Sequence, residues 1–173
     1  KYYTEHYRIQ KYEPCSGYVQ FMFIDLCPQS FYGLYDWWGI PKKGLQAILE
    51  SNAPVGVFAK HKDHLDSLYI VNDTDGALGE CELTWIITET LNGELVEKGS
   101  VKAEVPADSR VMVKTFEKEY GKGKKWNLTL ILSDNSGKCM AKNTYQDICT
   151  LLSRVDGHPD RMSHEFGMRL YWA

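Results

Sequence analysis

Side chains able to do chemistry fall into three groups along this chain of 173 residues. The five cysteines, Cys15, Cys27, Cys81, Cys139 and Cys149, are odd in number and include no CxxC pair. That pattern indicates neither a zinc knuckle nor a disulfide framework. They are expected to be mostly buried free thiols, a common state for this residue. His61 and His64 stand at i, i+3 and could meet one metal ion on a helical turn. Lys62 and Asp63 between them favour a solvated turn instead, so no metal is expected. The third group is the densest. In "GYVQFMFIDLCPQSFYGLYDWWGIPKKG", residues 17–44, an apolar run leads to Asp25 and Cys27. Phe31, Tyr32, Tyr35, Trp37 and Trp38 then crowd around turn residues.

Composition narrows what such groups can serve. Apolar and charged fractions of 43% and 25% are those of an ordinary globular protein. A net charge of −3 with no basic run gives no electrostatic footprint for nucleic acid or for an anionic membrane surface. No apolar stretch approaches the ~20 residues of a membrane span. No cofactor is expected. The chain opens on Lys1-Tyr2-Tyr3 without Met, as a start inside a longer protein would. Asn72 and Asn127 open N-x-T triplets, but both fall inside expected strands.

Two periodicities organise the elements that must position these residues. Residues 1–12, "KYYTEHYRIQKY", lack Gly and Pro and place Tyr3, Tyr7 and Ile9 on a loose helical face. After Pro14–Gly17 comes "YVQFMFIDL", apolar except for Gln20 until Asp25, which predicts a strand at 18–26 covered on both faces. Pro41 then stands at a helix start, and Leu45, Ile48 and Leu49 follow at i, i+3, i+4. Helix, buried strand, helix is the rhythm of an α/β barrel or layered sheet. From Pro54 the period becomes two. "SLYIVNDTDG" predicts a strand ending in a polar turn, and Asn92-Gly93 joins two more as a tight hairpin. Leu83, Trp85 and Ile87 share one face, as do Trp126, Leu128, Leu130 and Leu132 beyond "SRVMVKTFE". A turn is expected at Asp134–Gly137. Six or seven short strands at this spacing predict an antiparallel sandwich of immunoglobulin type, with Trp85 and Trp126 inward as core. The tail from Thr150 to Ala173 carries no readable period.

Taken together, "GYVQFMFIDLCPQ…YGLYDWWGIPKKGLQAI", "LYIVNDTDG…GELVEKG…VPADSRV" and "LTLILSDNSGKCMAKNTY" resemble the C-terminal third of a family 2 glycoside hydrolase of the β-mannosidase and β-galactosidase-like branch. The likeness runs from Gly17 to Tyr145 and rests on the order and spacing of modest motifs. They are the apolar strand ending at Asp25, the pair Pro41 and Lys42, Asn72-Asp73 early in the sandwich, and Asn143 with Tyr145 late in it. The resemblance implies that residues 1–53 end a (β/α)8 barrel, with helices at 1–12 and 42–52 around its eighth strand. Residues 54–173 would be an immunoglobulin-like β-sandwich with a C-terminal tail. The apolar strand was then made to pair with strands outside this sequence.

The resemblance also implies what the chain lacks. Retaining glycoside hydrolysis needs two carboxylates about 5–5.5 Å apart. In the family these are glutamates at the ends of barrel strands four and seven, one of them in an Asn-Glu dipeptide. No Asn-Glu occurs here, and both strands would lie upstream of Lys1. No catalytic residue is therefore assigned. The implied substrate-binding candidates are Asp25, at the mouth of the barrel, and the neighbouring Cys27, Tyr32, Trp37 and Trp38. Asp25 would hold sugar hydroxyls, or else bond nearby backbone. Cys27 departs from the family, which usually has a Trp there to stack under the sugar; Tyr32, Tyr35, Trp37 and Trp38 could replace it or merely pack helix on barrel. Two other readings stand beside the enzyme fragment: a sandwich that binds carbohydrate through exposed aromatics, and an interaction sandwich whose N-terminal strand pairs with another chain. Carbohydrate is the expected partner of the parent enzyme, and a homodimer through the N-terminal strand is expected of the chain alone.

Overall fold

The computed structural model of the chain describes residues 1–29, 32–61, 64–118, 120 and 125–148. Cys149, Phe31 and the tail from Thr150 lie outside the described residues. The chain divides into two compact units at Ala53/Pro54.

The unit that starts at Pro54 is an antiparallel β-sandwich. Its strands are β1 (Val55–His61), β2 (Leu65–Asn72), β3 (Gly79–Glu89), β4 (Leu95–Val105), β5 (Ser109–Thr115), β6 (Trp126–Ser133) and β7 (Cys139–Ile148). One sheet has the order β1-β2-β5 and the other β4-β3-β6-β7. The expected phases hold: Leu83, Trp85 and Ile87 of β3 and Leu128, Leu130 and Leu132 of β6 are all buried in one core. Val57, Ala59, Leu68 and Ile70 of the facing sheet complete it. Each fully buried aliphatic side chain contributes about 1.5–3 kcal/mol over an exposed one. β1 has no counterpart among the expected strands. β2 departs from simple alternation because it is buried at every position but Asp66.

Trp85 is buried, and Trp126 is half-buried against the same core. Opposite Trp85 stands Gly99 of β4, and a Cβ there would come 2.3 Å from the indole ring. The absence of a side chain at Gly99 is what lets the ring lie flat across the ladder. The indole N–H donates to Glu97 Oε1 at 3.1 Å, and the Tyr120 hydroxyl donates to Glu97 Oε2. Phe116 sits edge-on to both Trp85 and Tyr120, and Tyr120 edge-on to Trp126. Trp85 is part of the core, and Trp126 packs against it from the rim.

Polar side chains close what the ladders leave open. Asn143 Nδ2 of β7 donates to Val57 O at 2.9 Å, and Ala59 N–H donates to the Tyr145 hydroxyl at 3.0 Å. Asn143 also donates to that hydroxyl at 2.8 Å. Backbone groups of β1 are thus satisfied by β7 side chains, and the two sheets are tied at that edge. Asn72, fully buried at the end of β2, donates to Gly76 O at 2.8 Å and Pro106 O at 2.9 Å. Its Oδ1 accepts from Thr74 N–H at 3.0 Å and the Thr74 hydroxyl at 2.7 Å.

Two turns separate expectation from outcome. Asp134 Oδ1 accepts from the N–H groups of Ser136 and Lys138 at 2.8 and 3.0 Å, which makes the expected turn before β7. The Asn92-Gly93 hairpin is longer than a two-residue turn. Residues 90–94 form it, Glu89 N–H donates to Glu94 O at 2.9 Å, and Gly93 takes a φ of 72°. The Asn92 side chain accepts from Glu94 N–H at 2.9 Å, so this Asn shapes the loop through its Oδ1.

In residues 1–53 the helices are α1 (Tyr2–Arg8) and α2 (Lys43–Ser51). The expected helix over 1–12 stops early, and residues 9–14 turn ahead of Pro14, whose ring disfavours helix at the residue before it. Arg8 Nη1 donates to Ser51 O at 2.6 Å, tying the ends of the two helices. The expected strand over 18–26 is absent as a ladder; its one bridge joins Ile24 to Tyr35. A strand exists only through hydrogen bonds to neighbours, and among the described residues no ladder runs beside this segment. The cysteines also differ from expectation. Among the four described, only Cys81 is buried, and burial pushes its thiol pKa up; Cys27 and Cys139 are exposed.

Replacing Asn72 with Ala would remove four hydrogen bonds made by a fully buried side chain, while Gly76 O keeps the Thr74 hydroxyl and Pro106 O the Ser109 hydroxyl. We expect a loss on the order of 3 kcal/mol, read as a lower urea midpoint at unchanged slope. A pH effect follows from Tyr120. Burial and the Glu97 carboxylate push its hydroxyl up to about 12 from an ordinary 10.0. Between those values the folded chain keeps a proton that the unfolded chain has lost, so stability falls as pH rises from about 10 to about 12. Tyr120→Phe should flatten that decline in a pH series of thermal melts.

Candidate functional site

The loop that carries the candidate residues is folded by backbone bonds and one buried carboxylate. Phe23 O accepts from Leu34 N–H at 2.9 Å and Tyr35 N–H at 3.0 Å. Asp25 N–H donates to Tyr35 O at 3.1 Å, and Lys42 N–H to Leu34 O at 2.9 Å. The segment 32–35 is thereby held between residues 23–25 and the start of α2.

Asp25 is 1% exposed and points into this fold. Its Oδ1 accepts from Gly33 N–H at 3.0 Å, and its Oδ2 forms an ion pair with Lys42 Nζ. Such charge-assisted bonds are roughly twice as strong as neutral ones. Gly33 is required by the approach: a Cβ would lie 2.3 Å from Asp25 Oδ1 and 2.7 Å from Asp25 N and Tyr35 O. As placed, the carboxylate fastens the loop to the first residue before α2. Lys42, read in the sequence only as half of a Pro-Lys pair, is the residue that neutralises it. Gly33 drew no notice there, although a Gly amid bulky aromatics is a signal of close backbone approach.

The aromatic candidates lie elsewhere on the loop. Asp36 Oδ1 accepts from Trp38 N–H at 2.9 Å and Ile40 N–H at 2.8 Å, and Gly39 takes a φ of 79°. This turn sets Trp37 and Trp38 at its tip, 50% and 69% exposed. Tyr32 is half-buried and Cys27 is exposed. Tyr35 packs its ring 5.1 Å from that of Phe23. The structure brings Asp25 together with Gly33 and Lys42. The two tryptophans are grouped by the Asp36 turn. Among the described residues no group of three His, Cys, Asp or Glu side chains is placed to hold a metal ion.

No protein-family model matches the chain, and no curated protein does either. Solved structures do. The exo-chitosanase of Amycolatopsis orientalis matches with a TM-score of 0.72 and 18% identity, over 83% of this chain and 17% of that one. The β-D-mannosidase of Dictyoglomus thermophilum matches with a TM-score of 0.68 and 20% identity, over 84% of this chain and 18% of that one. What is shared at these identities is the fold. The matched share exceeds what either unit of the chain contains, while the chain spans less than a fifth of the length of these two enzymes.

Substitution at Gly33 tests the loop latch. Gly33→Ala would drive a methyl into backbone that cannot yield, so the Asp25 and Tyr35 amides should lose their slow hydrogen exchange. Asp25→Ala, by breaking a buried ion pair, should cost about 3 kcal/mol and unfasten the same amides. The exchange pattern of β1–β7 should stay unchanged in both variants.

Proposed function

We propose that the chain is the C-terminal portion of a retaining β-glycosidase of the family 2 type, inert by itself. Residues 1–53 are read as the last strand and flanking helices of its (β/α)8 barrel. The observation that carries this reading is the single fold match running through more of the chain than either unit holds, to glycosidases in both reported cases. The motifs behind the resemblance give it independent support. The strand order β1-β2-β5 and β4-β3-β6-β7 supports reading the sandwich as immunoglobulin-like. The apolar segment 18–26, exposed where a barrel would cover it, supports the barrel reading.

In that reading the catalytic carboxylates lie on barrel strands outside these residues, and carbohydrate is the substrate of the whole enzyme. Asp25 acts in it as a positioning residue, since its carboxylate is buried on Lys42 and Gly33. The exposed faces of Trp37 and Trp38, with Tyr32, are the groups left to meet a sugar ring. A carbohydrate-binding sandwich would need exposed indoles at Trp85 or Trp126, and Trp85 is core while Trp126 packs half-buried against it.

The purified chain should not turn over aryl β-mannoside, β-galactoside or β-glucosaminide. Turnover that survives purification and is lost in Asp25→Asn would overturn the reading. The reading also requires an Asn-Glu at a strand end, and a second strand-end Glu, in the coding sequence upstream of Lys1.

A further inference from the structure

We infer that Asn92 is a site of spontaneous, one-way modification: its side chain closes onto the Gly93 nitrogen with loss of ammonia, and the conversion opens the tip of the β3–β4 hairpin. The inference rests on residues 88–95 and does not depend on the glycosidase reading.

The step needs no partner but water. Gly93 N gives up its proton to hydroxide and attacks Asn92 Cγ. A C–N bond forms and closes an imide ring, the Cγ–Nδ2 bond breaks, and the departing nitrogen takes a proton from water and leaves as ammonia. Water then opens the ring on either side. One opening leaves aspartate at position 92. The other leaves isoaspartate, whose main chain is longer by one carbon.

Of the six asparagines, only Asn92 is followed by glycine. The Gly93 nitrogen is not shielded by a side chain, and nothing lies within 4 Å of where its Cβ would stand. The Asn92 side chain is already folded along the chain that follows it. Its Oδ1 accepts from Glu94 N–H at 2.9 Å, and its Nδ2 donates to Glu94 Oε2 at 3.4 Å. A donor on Oδ1 draws electrons from Cγ and stands where the oxyanion of the addition develops.

The other asparagines are guarded. Asn72 and Asn143 are buried and donate through Nδ2 to backbone carbonyls. Asn127 precedes Leu128, which is fixed in the core. Asn52 precedes Ala53, and its Nδ2 donates to Ile48 O at 2.8 Å. The nearest rival is Asn135, exposed in the turn before β7. The N–H that follows it, of Ser136, is held on the Asp134 carboxylate at 2.8 Å. Gly93 N–H is held at 2.9 Å on Glu89 O, a neutral carbonyl. A charge-assisted bond is roughly twice as strong as a neutral one, so the Gly93 nitrogen is released more readily.

The change would not stop at one side chain. A carboxylate at position 92 has no N–H for Glu94 Oε2 and repels it across the same short gap. The added carbon of isoaspartate also displaces Gly93 from Glu89 O. Two bonds close the hairpin here, Gly93 N–H to Glu89 O and Glu89 N–H to Glu94 O, both at 2.9 Å. The next rung pairs Thr88 with Leu95 beside a register shift, and Ile87 beyond it is buried in the core. Opening therefore runs from the tip to that shift and ends there.

Ageing the folded chain in warm, mildly alkaline buffer tests this, with peptide mapping by mass spectrometry and enzymatic methylation to reveal isoaspartate. Asn92 should convert at least about tenfold faster than Asn135, a rate ratio that follows from a barrier lower by about 1.4 kcal/mol. The rate should rise with pH, because the attacking nitrogen must first lose its proton. In the aged protein the Glu89 and Gly93 amides should exchange faster, with β6 and β7 unchanged. Asn92→Gln, whose longer side chain disfavours ring closure, should keep those two amides slow through the same ageing. Conversion of Asn135 ahead of Asn92, or equal rates at both, overturns the inference. So does product at position 92 with the Glu89 and Gly93 amides exchanging as before.

Discussion

Backbone N–H and C=O groups that leave water need partners, and this constraint orders the whole molecule. In the sandwich it is met three ways. Ladders satisfy most of β1–β7, the side chains of Asn143 and Tyr145 reach across to β1, and Asn72 gathers the loose ends of two loops. In residues 1–53 the constraint is met by α1, α2 and the bonds at Phe23 and Asp25. From Val19 to Phe23 the chain bends at Phe21 and Phe23, and Gln20 Nε2 donates to Met22 O and Tyr32 O at 3.3 Å.

A buried ion pair holds the loop that follows this segment from within. Removing two charges from water is costly, and the cost is offset at Asp25 by the Lys42 ammonium and the Gly33 N–H together. The pair joins residues on either side of the aromatic loop, so Trp37 and Trp38 are displayed by an anchored segment. Asp36 supplies the local half of that order through two backbone bonds. Positioning and display are separate jobs here, given to two aspartates eleven residues apart in sequence.

Much of the sandwich was legible because period two is a direct print of one buried face. Leu83, Trp85 and Ile87, or Leu128, Leu130 and Leu132, could hardly be read otherwise. β2 was less plain, being buried on both faces, and β1 went unseen because Gly56 and a short run blurred its period. Segment 18–26 read as a strand since its side chains are those of one; its register depends on partners that no local pattern contains. Cys27 and Cys139 went against a residue-type average, which carries no information about place. At the candidate site, Asp25 was visible as a carboxylate after an apolar run. Its direction was not, because only the folded loop brings Lys42 to it across seventeen positions.

Asn72 opens an Asn-Asp-Thr triplet, the form that carries sugar chains on secreted proteins. Its amide nitrogen is buried and donates two hydrogen bonds, to Gly76 O and Pro106 O. An N-linked glycan would consume one of those donors and set a bulky hydrophilic branch where no surface exists. The sandwich can therefore close only on a chain whose Asn72 is bare, and once closed it shields that nitrogen from any transferase. In an oxidising, glycosylating compartment, occupancy of this triplet and folding of the domain would be mutually exclusive fates.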